Sequence, residues 1–386
     1  MRGDVAEARA DMKRLLLLGG GHAHVHVLAD LARAPLPGWT VRLVSPWPRQ
    51  IYSGLLPGWL AGDEPIEACA IDLAALCRRA GVDFAVTAGT GLDLDRRLVS
   101  AADGSVHGWD RLSIDTGSVA ATTLPGVAEH ALSIRPIERF IAAWPVLAER
   151  IRTAGSPFHL CVLGAGAGGL ELVLAIGQRA GREGWSGLRL SLVGHEALPL
   201  PGAPMAARRQ ALALLQRRGI TWRGSSRALA VEPDHLRMDA AAPIPFDACL
   251  VATGAAAPGW PAASGLATDA QGCIRVDRRL CSVSHPDVSA AGDIAALADA
   301  RPKSGVYAVR AGPVLAANLR AACLGLPLQD WTPQARALYL INTGDRRAIA
   351  TWGRWAWPWP SRWIWRWKAR IDHGFMRRCS SAGPQG

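Results

Sequence analysis

The sequence predicts an α/β fold of two Rossmann-like dinucleotide-binding domains, the second inserted in the first, followed by a Trp- and Arg-rich α+β segment. Two observations carry this prediction. An apolar strand at residues 158–163 leads into Gly164, Gly166 and Gly169 and then into an uninterrupted helical run. A weaker copy of that pattern lies at residues 15–24, and strands ending in glycine turns flank the stronger copy on both sides. Two such motifs in one chain indicate two bound dinucleotides.

The glycines of the stronger motif have separate roles. Gly164 permits a tight turn, Gly166 lets the backbone approach a pyrophosphate, and Gly169 lets the helix pack close to the strand. The N-terminus of that helix then stabilises the phosphate charge. Because strand, motif and helix occur in the required order, a dinucleotide site is favoured over an ordinary glycine-rich turn.

The weaker copy departs from the pattern at its third glycine. Gly19 and Gly21 are in place, but His24 stands at the third position. Either this residue forces a wider approach of helix and strand, or its imidazole lies over the nucleotide and donates a hydrogen bond. His22 and His26 share a helical face that His24 leaves, and no acidic or cysteine ligand is near, so no metal site is predicted.

The composition indicates a globular intracellular protein. At 386 residues, 49% of them hydrophobic and 19% charged, the chain is long enough for two or three full cores and is not disordered. The first fourteen residues lack an apolar core, so no signal peptide is expected. No apolar run reaches about eighteen residues, so no spanning helix is expected either. The eight cysteines form no C-x-x-C pair and are typical of reduced cytoplasmic thiols.

The positions that bind ribose in dinucleotide folds are atypical here. The second strand of the first domain ends in Ser45 instead of an acidic residue, so that anchor is a neutral hydrogen bond. In the second domain Glu196 could reach the ribose, while Arg208 or Arg209 could meet a 2′-phosphate, which leaves NADH and NADPH open. The segment 52–58, which begins with Tyr52, is either a surface turn or a loop that passes close to a flat chemical group.

Two later segments carry polar groups. A small-residue strand ends at Gly292 and Asp293, a pair most common in turns. A helix then begins with Ser304 and Gly305 as cap-like residues. Its N-terminus beside the N1 and C2 carbonyl edge of a flavin would stabilise the negative charge of the reduced ring. Lys303 would add positive charge there, the alternative being a solvated side chain.

Several motifs together carry a family resemblance. In order, GGGHAH, the 52–58 loop, DTG, GAGAGGLE, ATG, AGD and PKSGVYAVRAGPVLAANL resemble the two-dinucleotide-domain flavoproteins near type II NADH:quinone oxidoreductases. GGGHAHV, YSGLLPG, PKSGVYAVR and the tail TGDRRAIATWG with WIWRWK are most similar to the FAD-dependent oxidoreductase family often fused to the N-terminus of selenide, water dikinase. The resemblance covers roughly residues 14–378.

The resemblance implies FAD and either NADH or NADPH as cofactors. It implies an FAD domain over residues 14–120 and 255–330, an NAD(P) domain over 121–254, and a C-terminal segment over 331–386. FAD would be bound by Gly19, Gly21, His22, Ala23, His24, Ser45, Gly117, Gly292, Asp293, Gly305, Val306 and Tyr307. The nicotinamide nucleotide would be bound by Gly164, Gly166 and Gly169, and the reaction centre would include Glu171, Lys303 and Tyr52.

The predicted reaction passes hydride from the nicotinamide to flavin N5 and then electrons to a quinone or another small acceptor. Ala175 stands where some quinone reductases carry a second Glu, four residues after the position of Glu171. No cysteine pair suited to disulfide chemistry is present. The alternative is a non-catalytic flavoprotein, or one linked to selenium or sulfur metabolism with a different donor and acceptor.

The C-terminal segment has a distinct composition. Residues 346–378 hold nine Arg or Lys against one acid, Asp372, and seven of the sixteen tryptophans. Trp363, Trp367 and Arg370 recur at helical spacing, while the WPWP run at 357–360 must be an extended turn. The pattern predicts an element on an anionic membrane surface, at the inner face of the cell membrane. Tryptophans that cover the sheet or a homodimer partner are the alternatives, and no nucleic-acid partner is expected because no RNA-binding motif is visible.

Overall fold

The computed structural model describes residues 12–120, 124–155, 157–299, 303 and 305–380. The helices of these ranges are α1 (His22–Arg33), α2 (Leu56–Leu60), α3 (Leu73–Ala80), α4 (Val127–His130), α5 (Ile137–Arg152), α6 (Ala167–Glu183), α7 (Met205–Arg217), α8 (Trp260–Ala263), α9 (Gly305–Leu324) and α10 (Arg362–Ser380). Short 3₁₀ turns lie at Ile66–Cys69 and Gly292–Ile294.

The strands of the described ranges fall before, within and after the inserted unit. Before the insertion they are β1 (Lys13–Leu18), β2 (Trp39–Ser45), β3 (Arg49–Ile51), β4 (Ala70–Asp72), β5 (Asp83–Val86), β6 (Gly89–Asp93), β7 (Leu98–Ala101), β8 (Val106–Gly108) and β9 (Arg111–Ile114). Next come β10 (Val119–Ala120), β11 (Leu132–Ser133), β12 (Phe158–Leu163), β13 (Leu188–Val193), β14 (Thr221–Arg223), β15 (Ala228–Val231), β16 (His235–Met238), β17 (Ile244–Pro245), β18 (Ala248–Val251) and β19 (Ala255–Ala256). The last are β20 (Ile274–Val276), β21 (Val288–Ala290), β22 (Ala295–Leu297), β23 (Leu338–Asn342), β24 (Ala348–Trp352) and β25 (Trp355–Ala356).

The first parallel sheet has the strand order β21-β9-β1-β2-β5. Its central strand β1 ends in four consecutive buried leucines, as expected for a strand covered on both faces. Helix α1 packs against α9 and α3. Strand β21, which pairs in parallel with β9, completes this sheet from a distant part of the chain.

The second parallel sheet has the order β11-β18-β12-β13-β14. All of its strands lie between β9 and β21 in the chain, so the predicted insertion of one Rossmann-like unit in another is confirmed. Strands β10 and β19 pair antiparallel where the chain leaves and re-enters the first unit. The domain limits at residues 120 and 255 stay a prediction that this pairing supports.

The C-terminal segment is α+β, as predicted. Strands β23, β24 and β25 form an antiparallel sheet, and α10 packs on β24 and β23. The turn between β23 and β24 approaches α6 closely, because a Cβ on Gly344 would lie 2.8 Å from the carbonyl oxygen of Leu174. The WPWP run at 357–360 is neither helix nor strand. Within the described residues no helix is both long and apolar enough to cross a bilayer.

The 52–58 segment is not entirely a loop, since α2 begins at Leu56. Pro57 is compatible with this helix because first-turn N–H groups have no intrahelical partner. The predicted helix after residue 304 is present as α9 and contains Pro313. Ser304 itself lies outside the described residues.

Candidate functional site

The glycine turn between β12 and α6 leaves space where a nucleotide would approach. Gly164 has φ +115°, and a Cβ there would collide with the carbonyl of Ala252. A Cβ on Gly169 would collide with the carbonyl of Gly164. At Gly166, in contrast, a Cβ would have no atom within 4 Å. Two of these glycines therefore shape the turn, and the third faces open space.

The first turn of α6 is available to an anion. Gly166 is its N-cap residue, and no side chain caps the helix. The first-turn N–H groups of a helix have no intrahelical partner, and the helix dipole favours negative charge at this end. The geometry fits the pyrophosphate of a dinucleotide.

The equivalent turn between β1 and α1 contains a buried carboxylate that the sequence analysis did not single out. Asp115 follows β9, is 2% exposed, and accepts hydrogen bonds at Oδ2 from the amides of Ala23 (2.8 Å) and His24 (3.0 Å). A Cβ on Gly21 would collide with this carboxylate, and one on Gly292 would lie 2.5 Å from its Oδ1. Burial raises the pKa of Asp115 to about 7, against the lowering effect of the His24 and Ala23 amides.

The imidazole of His24 points into the protein core. Its Nδ1 lies 2.5 Å from the carbonyl oxygen of Gly19 and its Nε2 lies 2.8 Å from the hydroxyl of Ser113. The residue is fully buried, and burial lowers its pKa to about 4, which keeps the ring neutral. The expectation that this imidazole lies over the nucleotide is therefore wrong, since both of its nitrogens are engaged between α1 and the sheet.

His22 is a better candidate than His24 for a side-chain contact with a cofactor. Its Nε2 is buried with no hydrogen-bond partner among the described residues, and its ring lies 5.6 Å from Tyr52 and 6.1 Å from Phe375. Burial lowers the pKa of His22 to about 4, against the raising effect of Asp293. Buried polar atoms in native proteins are nearly always satisfied. An orphaned nitrogen in the first turn of α1 is an atom that bound FAD would satisfy.

Asp293 joins the two units. Its Oδ2 accepts from the hydroxyl of Ser118 at 3.1 Å and lies 3.5 Å from Nη1 of Arg135, which itself donates to Ser118 at 2.6 Å. Asp293, Lys303 and Tyr307 line a cavity of about 300 Å³. The ammonium of Lys303 donates to the carbonyl of Ala295, so it is held at the cavity wall and is not a freely solvated side chain.

The other predicted FAD residues lie at the end of β2, after β9 and at the start of α9. Ser45 is 3% exposed at the carboxyl end of β2, with its hydroxyl 3.0 Å from where a Cβ on Gly20 would lie. Gly117, with φ +73°, follows β9. Gly305 begins α9, and a Cβ there would lie 3.8 Å from the Ser53 hydroxyl, so the start of α9 faces the 52–58 segment. Val306 is half-buried in this first turn of α9.

Helix α10 adds two ionisable residues to the predicted reaction centre. The hydroxyl of Tyr52 donates to Oδ1 of Asp372 at 2.9 Å. The ammonium of Lys368 donates to Oδ2 of Asp372 at 2.7 Å and to the carbonyl of Gly54 at 2.6 Å. The Lys368 and Asp372 side chains are only 11% and 8% exposed. Burial and the nearby carboxylate raise the pKa of Tyr52, so the phenol remains a donor.

Glu171 belongs to the same electrostatic neighbourhood. Its Oε1 accepts the amide of Asn342 at 2.7 Å, which ties α6 to the end of β23. Burial raises the pKa of Glu171 to about 7, while Lys368 lowers it and Asp372 raises it. Asp372 of α10 thus acts electrostatically on both Tyr52 and Glu171. The sequence signal for Asp372 was its position as the single acid in a basic tail.

Two similar proteins are named as a NADH dehydrogenase-like protein and a quinone reductase. A NADH dehydrogenase-like protein of Mycobacterium tuberculosis is 25% identical over 302 residues, 74% of this chain and 73% of that protein. The demethylphylloquinone reductase NdbB of Synechocystis sp. is 25% identical over 216 residues, and the match spans 54% of this chain and 52% of that protein.

Solved structures share the fold over nearly the whole chain. The sulfide:quinone oxidoreductase of Aquifex aeolicus gives a TM-score of 0.80 at 18% identity, covering 97% of this chain and 93% of that one. NDH2 of Plasmodium falciparum, solved with NADH, gives 0.77 at 12% identity, covering 96% and 99%. Residues 13–312 match the pyridine nucleotide-disulphide oxidoreductase model, so the chain belongs to this family and its cofactors are FAD and a nicotinamide nucleotide.

Proposed function

We propose that this protein oxidises NADH or NADPH through FAD and reduces a quinone-like acceptor. The turns at Gly19 and Gly292 would hold FAD, which would supply the hydride-accepting and electron-transferring chemistry. The observation that carries the proposal is a partly buried group of ionisable residues: Tyr52 and Lys368 both hydrogen-bond to Asp372 of α10, and Lys368 and Asp372 act electrostatically on Glu171 of α6. The name of the cyanobacterial relative, a demethylphylloquinone reductase, supports a quinone as acceptor.

The cluster suits an acceptor that takes up protons along with electrons. Glu171 exchanges its proton near neutral pH, because burial raises its pKa to about 7. The ammonium of Lys368 stabilises negative charge that develops on a reduced carbonyl oxygen. Ala175 is fully buried in the core, so the second Glu of some quinone reductases has no counterpart there. We assign the role of that second Glu to the ionisable residues of α10.

The test is anaerobic reduction with each nucleotide, followed by reoxidation with a short-chain naphthoquinone, oxygen, selenite or sulfite. We expect NADH or NADPH to bleach the flavin and the quinone to restore its colour fastest. Lys368→Arg should slow quinone reoxidation and leave reduction unchanged, and the exposed Arg366→Lys should change neither. A flavin that no nucleotide bleaches, or that selenite or sulfite reoxidises fastest, would overturn the proposal in favour of the alternative donor or acceptor.

A second role is favoured by an exposed aromatic surface, which we call the tryptophan surface and define as Trp355, Trp357, Trp359, Trp363 and Trp367. These side chains are 76%, 47%, 61%, 63% and 39% exposed, which counts against their covering the sheet. The Trp357 and Trp363 rings lie 6.3 Å apart, and those of Trp363 and Trp367 lie 5.9 Å apart. We propose that this surface lies in the headgroup region of an anionic membrane, with the exposed arginines of α10 over the phosphates.

Substitution tests this surface better than truncation of the chain, because removing α10 would also remove the buried Phe375. We expect the wild-type protein to sediment with phosphatidylglycerol vesicles and to be released by high salt. Trp363→Ser with Trp367→Ser should abolish sedimentation, whereas the exposed Val146→Ser on α5 should not. If the tryptophan surface is instead a homodimer interface, the double variant will lower the mass in analytical ultracentrifugation and the wild type will not bind vesicles.

A further inference from the structure

The two glycine turns differ at one structurally equivalent position. Gly19 packs on the carbonyl of Asp115 and the Cα of Thr116, as Gly164 packs on the carbonyl of Ala252 and the amide of Thr253. Asp115 and Ala252 therefore occupy the same place after β9 and β18. The turn assigned to the nicotinamide nucleotide has a methyl group where the turn assigned to FAD has a carboxylate.

The carboxylate of Asp115 uses the same helix end that a pyrophosphate would use. It accepts the second and third amides of α1, from Ala23 and His24. Helix α6 has no side chain at its N-cap, so its amides are left for a ligand. A pyrophosphate on the Gly19 turn would add negative charge beside a carboxylate that is 2% exposed.

No positive charge offsets this crowding within the described residues. The 3₁₀ turn packed on Asp115 contributes Asp293, a like charge that is itself paired with Arg135. Helix α1 contributes His22 and His24, both neutral because burial lowers the pKa of each to about 4. Helix α9 contributes the methyl group of Ala308 beside Gly292. Like charges sharing a buried site favour the protonated form of one of them.

We propose that Asp115 takes up a proton when FAD binds, so that the first turn binds the cofactor and a proton together and its affinity for FAD falls as pH rises. This rests on the proposed assignment of FAD to that turn. The protonated carboxyl still accepts the two amides through its carbonyl oxygen and removes one negative charge from beside the pyrophosphate.

The direction of the effect follows from linkage. The pKa of Asp115 before FAD binds is about 7, and the bound pyrophosphate raises it further. Below this value Asp115 is already protonated, so affinity does not depend on its titration. Above it, binding must take up a proton, and the Kd for FAD rises by up to about tenfold per pH unit until the pKa of the complex is reached.

The test is calorimetric titration of the apoprotein with FAD. At about pH 8, titrations in buffers of different ionisation enthalpy should show uptake of about one proton. Asp115→Asn keeps an acceptor for the amides and should show no uptake and a Kd that varies little with pH. Asp115→Ala, which copies Ala252, should lose the uptake as well. Binding of NAD⁺, which cannot reduce the flavin, to the FAD-loaded protein is the internal control and should take up no proton at this site.

The outcomes separate the two levels of the proposal. Wild-type protein that binds FAD without proton uptake, and with a Kd that does not change between about pH 7 and about pH 9, would overturn the role of Asp115 and leave the function standing. If Asp115→Asn does not fold, the proton count of the wild type still decides. Uptake that persists in Asp115→Asn would assign the proton to another group and overturn the inference. An apoprotein that binds no FAD would overturn the proposed function itself.

Discussion

Gly166→Val should abolish reduction by NADH and NADPH in a protein that folds and keeps its FAD. A Cβ at Gly166 would have no atom within 4 Å, and the residue has φ −70°, so valine introduces neither a clash nor backbone strain. The space it fills is the space that the proposed pyrophosphate needs. The neighbouring glycines differ, because a Cβ on Gly164 or Gly169 would collide with a backbone carbonyl and disrupt the turn.

The size of the effect follows from the hydrogen bonds that the valine displaces. Each N–H bond to a charged phosphate contributes roughly 1.5 to 3 kcal/mol. Losing two of them weakens nucleotide binding by about 3 to 6 kcal/mol, or roughly 10² to 10⁴-fold in Kd. Replacing glycine at the N-cap of α6 with valine costs only about 1 kcal/mol of folding stability.

The measurement is the rate of flavin bleaching by each nucleotide in an anaerobic stopped-flow instrument. Gly181→Val is the matched control, since it adds the same side chain to the far end of α6, also into open space. We expect control rates equal to the wild type and a Gly166→Val rate reduced by at least a hundredfold at subsaturating nucleotide, from the affinity loss of about 3 kcal/mol or more. A yellow, folded Gly166→Val protein that is reduced at the wild-type rate would refute the assignment of this turn to the nicotinamide nucleotide.

Three further predictions concern the remaining site residues. Asp293→Ala should lose most of its FAD during purification, because removing a hydrogen-bonded carboxylate at the cavity costs about 1 to 3 kcal/mol. Flavin absorbance equal to that of the wild type would contradict the role of Asp293. The Tm of Glu171→Gln should rise relative to that of the wild type as pH increases from about 4.5 to about 7. The pKa of Glu171 is raised to about 7 in the folded protein, so the wild type loses folding stability across that window, whereas the glutamine does not titrate. A constant Tm difference from acid to neutral pH would show that Glu171 titrates normally. Tyr52→Phe should slow quinone reoxidation less than Lys368→Arg, because it removes one hydrogen bond to the Asp372 carboxylate and leaves the Lys368 ammonium in place. The reverse order would move the main role to the phenol.

The parts of this protein that sequence determines are local in the chain. The two strand-turn-helix motifs were predicted from glycines and apolar periodicity because the left-handed φ of Gly19 and Gly164 and the start of the following helix depend on neighbouring residues. The insertion followed because strands with glycine turns flank the stronger motif on both sides. The helix at 362–380 followed from the spacing of its tryptophans.

Tertiary structure alone decided the chemistry between these local units. Asp115 meets the amides of α1 across 91 and 92 residues, and Tyr52 meets Asp372 across 320 residues. The bulky His24 is accommodated at the third glycine position because its buried imidazole hydrogen-bonds to Ser113 of β9. Side-chain charge and hydrogen bonding act through space and not along the chain, so no local pattern shows which ionisable groups will share one buried volume. That sharing is what shifts the pKa values of Asp115 and Glu171 toward neutrality.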